Sequence, residues 1–313
     1  MRYYFAPMEG LTDSIYRRLH HKYFGGVDRY YMPFMSPTVH RSLTPREDRE
    51  LPYAHSVGFH AVPQLLTKVS EDFLWAAQQC SDRGYDEVNL NLGCPSGTVV
   101  AKGKGSGMLR DPDALARFLD EIFAGAPLPI SVKCRLGLES RDEFPALLEL
   151  FNRYPIRELT LHPRVRKAFY KGDVDMEMFR YCVENSSNPL CYNGNLCTIS
   201  EISAFSTQFP QVEAVMLGRG LIADPGMLCG GSDPQKLEAF YDELLDAYTR
   251  EFGGPRNAMF RLKENWRMVI CLFDNNEKLR KKLLKTTDVA EFRSITHQIL
   301  HTLPQRSALQ PDW

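Results

Sequence analysis

Short apolar, β-branched or aromatic runs recur through the first three quarters of the chain, at residues 3–6, 29–32, 61–65, 87–92, 129–134, 158–162, 190–193 and 214–218. Between several of them lie stretches whose apolar residues repeat at three and four, such as 71–83 (EDFLWAAQQCSDR) and 112–123, the spacing of a half-buried helix. Strands alternating with helices imply parallel pairing through right-handed crossovers. Eight such units within residues 1–230 predict a (β/α)8 TIM barrel, a fold of typically ~250 residues. A doubly wound open sheet requires a G-x-G-x-x-G turn after its first strand, and Pro7-Met8-Glu9-Gly10 is a different sequence.

The alternation stops around residues 229–234 (CGGSDP), and residues 231–313 read as a small all-helical domain. Ser232 or Asp233 is placed to cap a helix with Pro234 in its first turn. That helix buries Leu237, Phe240, Tyr241, Leu244 and Tyr248, and further helices are predicted over 257–273, 277–285 and 289–303. On the 257–273 helix, Met259, Leu262, Trp266, Val269 and Phe273 share one face, while Arg256, Lys263 and Arg267 form a basic stripe ~90° away. Read blandly, the apolar stripe is core and the basic one a solvated surface.

Composition adds limits. Hydrophobic residues at 43% and charged residues at 25% describe an ordinary globular protein. No apolar run approaches the ~18 residues of a spanning helix, and the first ten residues lack the apolar core of a signal peptide, so a cytoplasmic protein without membrane contact is expected. The eight cysteines include no C-x-x-C pair, the pattern of reduced thiols rather than of a bridge framework or zinc site, and no metal is expected. The net charge is −1 overall, but from Arg256 onward 11 Lys and Arg face 6 Asp and Glu, a +5 segregation suited to a polyanion partner.

Active sites of TIM barrels form at the C-terminal ends of the strands. The polar residues there are Glu9, Gln64, Asn89, Asn91, Cys94, Lys133, Arg135, His162, Arg164 and Asn193, followed by Gly194, Asn195, Gly218, Arg219 and Gly220. Glycines after the seventh and eighth strands suit a phosphate, because backbone N–H groups approach an anion closely where no Cβ intrudes. A Lys and a His at neighbouring strand ends suit an electron-rich ring that must carry negative charge.

The segments APMEGLTDSIYRRL, NLNLGCPSGTVVAKGKGSGMLRDP, SVKCRLG, LHPRVRKAFYKG, YNGN and VMLGRGLIADP resemble, in order and spacing over residues 1–225, the signature blocks of the tRNA-dihydrouridine synthase family. The helical appendix is similar in size and position to that family's RNA-binding domain. The resemblance implies an FMN-dependent oxidoreductase, reduced by NADPH, that saturates the C5–C6 bond of uridines in tRNA. By the same resemblance Pro7, Met8 and Glu9 lie along the flavin, Gln64 meets its pyrimidine edge, and Lys133 and His162 stabilise its reduced form. Asn193, Gly194, Asn195, Gly218 and Arg219 hold the phosphate, Asn91 orients the uracil, and Cys94 donates the proton to C5. The chemistry suits a thiol, which with a pKa of ~8.5 is protonated at neutral pH yet gives up its proton readily. Arg256, Lys263 and Arg267 are the expected RNA contacts, and the chain is expected to act as a monomer.

The chain departs from the family pattern at Pro163, where Gly usually follows the His, at Asn195, where an acidic residue is frequent, and in the third-strand block QLLTKV. Taken singly, Cys94 reads as a small buried hydrophobe and His162 as a satisfied core histidine. GKGSG at 103–107 lacks the ending of a nucleotide-binding P-loop. Two alternatives remain at this point: an FMN barrel acting on a free pyrimidine, and a non-catalytic RNA-binding barrel. The basic tail argues against the first, and the strand-end Cys94, Lys133 and His162 against the second.

Overall fold

The computed structural model describes residues 1–309 and 311. The chain begins β1 (Arg2–Phe5), α1 (Ser14–Tyr23), β2 (Arg29–Tyr31), α2 (Pro45–Glu50), β3 (Ala61–Val62), β4 (Gln64–Leu65), α3 (Ser70–Asp82) and β5 (Val88–Leu92). It continues α4 (Gly97–Ala101), α5 (Pro112–Gly125), β6 (Ile130–Arg135), α6 (Phe144–Phe151), β7 (Leu159–His162), α7 (Met176–Asn185), β8 (Leu190–Tyr192), α8 (Ile199–Gln208) and β9 (Ala214–Leu217). Then follow α9 (Arg219–Ala223), α10 (Pro234–Glu251), α11 (Pro255–Val269), α12 (Glu277–Lys285) and α13 (Val289–Thr302).

All eight apolar runs are strands, and the third is split. Pro63 has no N–H to give a ladder, so residues 61–65 register as two pieces, β3 paired with β2 and β4 paired with β5. The sheet order β3-β2-β1-β9-β8-β7-β6-β5-β4 therefore starts and ends on one continuous strand. The nine pieces make an eight-stranded parallel barrel, as the alternation of strands and helices predicts. Among the described residues no helix is long and apolar enough to cross a membrane.

Period-two alternation decides which side chains meet. Along β5 and β6, Asn89 and Asn91 share a face with Ser131 and Lys133, since the register pairs Asn89 with Ser131 and Asn91 with Lys133. Val88, Leu90, Leu92, Val132 and Cys134 take the opposite face and are fully buried. In β6 and β7 the same register opposes Lys133 to Thr160 and Arg135 to His162. Glu87, fully buried one residue before β5, is held between Arg29 at 3.1 Å and Arg157 at 3.0 Å, which offsets the cost of burying its charge.

The structure resolves into two compact units. The first comprises residues 1–7, 28–195 and 209–216, and carries the barrel just described. The second comprises residues 8–27, 196–208 and 217–313. Within it, Asp13 is the hub. Its carboxylate caps α1 through the Tyr16 N–H at 2.9 Å and accepts from Tyr248 of α10 at 3.1 Å and from Arg261 of α11 at 2.7 Å. Of the two cap candidates for α10, Asp233 takes the Lys236 N–H at 3.0 Å, whereas Ser232 turns to Asp224 at 2.5 Å. The apolar stripe of α11 is core as expected, with Met259, Leu262, Trp266 and Val269 fully buried.

Candidate active site

In the first unit a directional chain of hydrogen bonds begins at Glu87. Its carboxylate can only accept, so Ser131 Oγ donates to it at 2.5 Å and in turn accepts from Asn89 Nδ2 at 2.9 Å. Asn89 Oδ1 then accepts from Gln64 Nε2 at 2.8 Å, and Gln64 Oε1 accepts from Asn91 Nδ2 at 2.8 Å. The last amide is thereby turned so that Asn91 Oδ1 accepts the backbone N–H groups of Gly93 at 3.0 Å and Cys94 at 2.9 Å. A charge four side chains away thus sets the polarity of the turn that carries Cys94.

Cys94 is half-buried, and its carbonyl accepts from Ser106 Oγ at 2.7 Å. Gly105 lies against it: at φ +58 an L side chain is strained, and a Cβ there would stand 3.0 Å from Cys94 Cβ. The glycine-rich segment after α4 therefore packs on the cysteine turn instead of forming a phosphate loop. All eight cysteines are free thiols, six of them buried, while Cys229 is exposed and donates to Phe24 O at 3.0 Å.

Lys133 stands beside Asn91 in the register of β5 and β6. Its ammonium makes no hydrogen bond or ion pair with any described residue, and burial, aided by the Arg135 charge, pushes its pKa down to about 8. A half-buried cation without a counter-charge is costly. The arrangement suits an anionic or electron-rich group at this place, and the residues present fit a flavin whose reduced ring carries negative charge.

His162 is buried at the end of β7, accepts or donates at Nε2 to Arg164 Nη1 at 2.9 Å, and stacks against Tyr170 at 6.2 Å. Because a guanidinium only donates, Nε2 is the acceptor in this contact. Arg164 also reaches Gly172 O at 2.6 Å and Asn195 Oδ1 at 3.4 Å. Asn193 Nδ2 holds Met216 O at 2.7 Å, fixing the turn after β8 against β9. At Gly194 a Cβ would sit 2.0 Å from the Tyr192 hydroxyl, so this turn admits no side chain without displacing that ring. Pro7 is half-buried just after β1.

Of the remaining predicted residues, Met8, Glu9, Gly218 and Arg219 lie in the second unit. Met8 opens a tight turn in which its carbonyl accepts from Leu11 N and Thr12 N at 3.0 Å each, leaving Glu9 exposed. Gly218 O likewise accepts from Leu221 N at 3.0 Å and Ile222 N at 3.1 Å, opening α9.

The basic stripe of α11 is corrected by its packing. Arg256 and Arg267 are exposed, the first over the Phe260 ring at 5.7 Å and the second 3.5 Å from Glu264. Lys263 is instead 5% exposed, and its ammonium donates to the carbonyls of Thr286 and of Leu284, the latter at 3.3 Å. It is a cap for the C-terminal end of α12, where carbonyls lack intrahelical partners and the dipole favours a cation. Replacing Lys263 with Met leaves the buried Thr286 carbonyl and the part-buried Leu284 carbonyl short of a donor, an expected loss of about 1–3 kcal/mol. Arg256→Ala and Arg267→Ala are expected to stay within about 0.5 kcal/mol. Denaturant midpoints of the three variants check this.

Among the strand-end residues left without a role are Arg135 and Arg164. Arg135, 1% exposed, donates to Gly93 O at 2.9 Å and Phe169 O at 2.7 Å and lies under the Tyr170 ring, tying the turn after β5 to the loop after β7. Arg164 does the same between His162 and the Gly172 turn. The available signal is their position two residues after Lys133 and His162.

The family model described as dihydrouridine synthase matches residues 4–294. A tRNA-dihydrouridine synthase B of Pasteurella multocida is 27% identical over 225 residues, 72% of this chain and 67% of that protein. A probable tRNA-dihydrouridine synthase of Staphylococcus aureus is 27% identical over 311 residues, 93% of this chain and 90% of that protein. In fold, an amine oxidase from Pseudomonas geniculata superposes with a TM-score of 0.54 at 11% identity, over 76% of this chain and 47% of that one. A match spanning nearly the whole chain, on a barrel whose strand ends hold the cysteine turn and the uncompensated lysine, means that this protein belongs to the dihydrouridine synthase family.

Proposed function

We propose that this protein reduces the C5–C6 double bond of a uridine in tRNA to 5,6-dihydrouridine, with FMN as the bound flavin and NADPH as electron donor. The observation that carries the reading is the Lys133 ammonium, half-buried without a counter-charge among the described residues, one strand away from the amide that holds Cys94. Bound FMN, once reduced, would supply a hydride, two electrons with their hydrogen, to C6 of the uracil. Gln64, Lys133 and His162 would face its ring, with Pro7, Met8 and Glu9 along it. Asn193, Gly194, Asn195, Gly218 and Arg219 would hold its phosphate.

The chain's own residues do the rest. Cys94 releases its thiol proton to C5, and the resulting thiolate is reprotonated from water after product leaves. Asn91, already spending its oxygen on the turn, has one amide hydrogen left to orient a uracil carbonyl. Lys133 offers positive charge where negative charge develops. Residues 1–230 would form the catalytic barrel and residues 231–313 the RNA-binding region, whose exposed Arg256 and Arg267 would meet phosphates. The protein would work as a cytoplasmic monomer.

The test uses the purified chain and tRNA from a strain that lacks dihydrouridine. Expected are a flavin that elutes as FMN after heat release, NADPH-dependent dihydrouridine in the tRNA, and no turnover of free uracil or uridine. Changing Arg256 and Arg267 together to Ala is expected to weaken tRNA binding and to lower the salt slope by up to about two units. Turnover of a free pyrimidine with no effect of those changes would select the small-molecule reading instead.

A further inference from the structure

We propose that Glu238, His297 and His301, remote in role from the flavin site, form a binding site for a divalent transition-metal ion of the zinc class. No metal is expected from the cysteine spacing, but the helical packing assembles a different donor set. His297 and His301 stand four residues apart on α13 and so share a face one turn apart. Their ring centroids are 4.3 Å apart. From α10, Glu238 brings one carboxylate oxygen 2.6 Å from His297 Nδ1 and the other 2.9 Å from His301 Nε2. The three ligating atoms lie within 4.8 Å of one another. Bonds of ~2.0–2.1 Å to a tetrahedral zinc place ligand atoms ~3.3 Å apart, so small side-chain rotations centre an ion among them.

The chemistry selects the ion. Two imidazoles and one carboxylate are the donors of Zn²⁺, Co²⁺, Ni²⁺ and Cu²⁺, whereas Mg²⁺ and Ca²⁺ favour oxygen alone. Three protein ligands leave a coordination position open for water. Glu238 and His297 also line a cleft of about 160 Å³ with Asp242, Trp266, Arg293 and Thr296, several times the ~30 Å³ share of one water. In its wall Trp266 is fully buried and its indole N–H has no hydrogen-bond partner among the described residues. The neighbouring Arg293 charge is offset by Asp242 at 3.7 Å and Asp246 at 3.0 Å, so with neutral imidazoles the surroundings are net negative. Binding moves the ring proton that faces the carboxylate to the other nitrogen of each imidazole, and the ion then ties α13 to α10.

The experiment titrates full-length, chelator-treated protein with CoCl2 and follows the visible absorption of the ion, then displaces it with ZnCl2. Expected are one ion per chain, the intense visible bands of tetrahedral Co²⁺ without a thiolate charge-transfer band, and a rise in Tm with ZnCl2 but not with MgCl2. Glu238→Gln and His301→Gln are each expected to weaken binding roughly 100-fold or more, and His297→Gln likewise. These side chains are partly exposed, and metal-free melting of each variant shows whether it folds. No binding at millimolar Co²⁺, a thiolate band, or affinities unchanged in all three variants would overturn the site. Because tRNA reduction is measured separately, either proposal can fail without the other.

Discussion

Replacing Cys94 with Ala is expected to lower dihydrouridine formation by roughly 10²- to 10⁴-fold, the contribution of a positioned general acid. NADPH-dependent flavin reduction should continue at the wild-type rate. The separation follows from the geometry, because the Asn91 oxygen holds the Cys94 backbone N–H and not its thiol, so the turn survives the change. The hydrogen bond from Ser106 to the Cys94 carbonyl survives it as well. Cys94→Ser is expected to rescue little, since a hydroxyl is a far weaker acid than a thiol. Single-turnover measurement with pre-reduced enzyme isolates the step, and wild-type rates in Cys94→Ala would remove the thiol from the mechanism.

Replacing Lys133 with Met is expected to separate stability from function. In the flavin-free protein the charged ammonium is half-buried without a partner among the described residues, and its pKa falls from 10.5 to about 8. Between those values the unfolded chain binds more protons than the folded one, so wild-type stability rises with pH across the interval. Below about pH 8 the full penalty is present, on the order of 3 kcal/mol. Lys133→Met should therefore melt a few degrees higher than wild type near pH 7 when flavin-free, with the gap closing as pH rises through 8 toward 10.5. The same variant should bind FMN roughly tenfold or more weaker and reduce tRNA slowly, as loss of a charged hydrogen bond implies. A flavin-free variant less stable than wild type near pH 7 would show that the ammonium is already compensated. This is the pattern of a site that holds an unfavourable charge for the sake of its ligand.

Much of the architecture is legible without coordinates because its signals are local. The eight apolar runs become strands within one or two residues of their predicted ends, and the helix predicted over 277–285 is α12. Motif blocks such as NLGCPS place Cys94 and Asn91 at the end of one strand, and register does the remainder. What local reading misses is partner choice. Lys263 and Arg267 look alike on a helical wheel, yet α12 ends against one and not the other. Asp233 and Ser232 are equally good caps by type, and only the approach of Asp224 assigns Ser232 elsewhere.

The sequence by itself determined the alternation of strand and helix, the helical C-terminal region, the family blocks and the reactive residue types, because periodicity, caps and turn chemistry act over a few neighbours. Only the tertiary structure decided that the strand broken at Pro63 closes the barrel on both sides. It alone shows that Glu87 orients Asn91 through Ser131, Asn89 and Gln64, and that Lys133 has no counter-charge among the described residues. It alone brings Glu238 to two histidines about sixty residues away. Each of these depends on side chains far apart in the chain meeting at a set distance and angle, and that is fixed by strand register and helix packing.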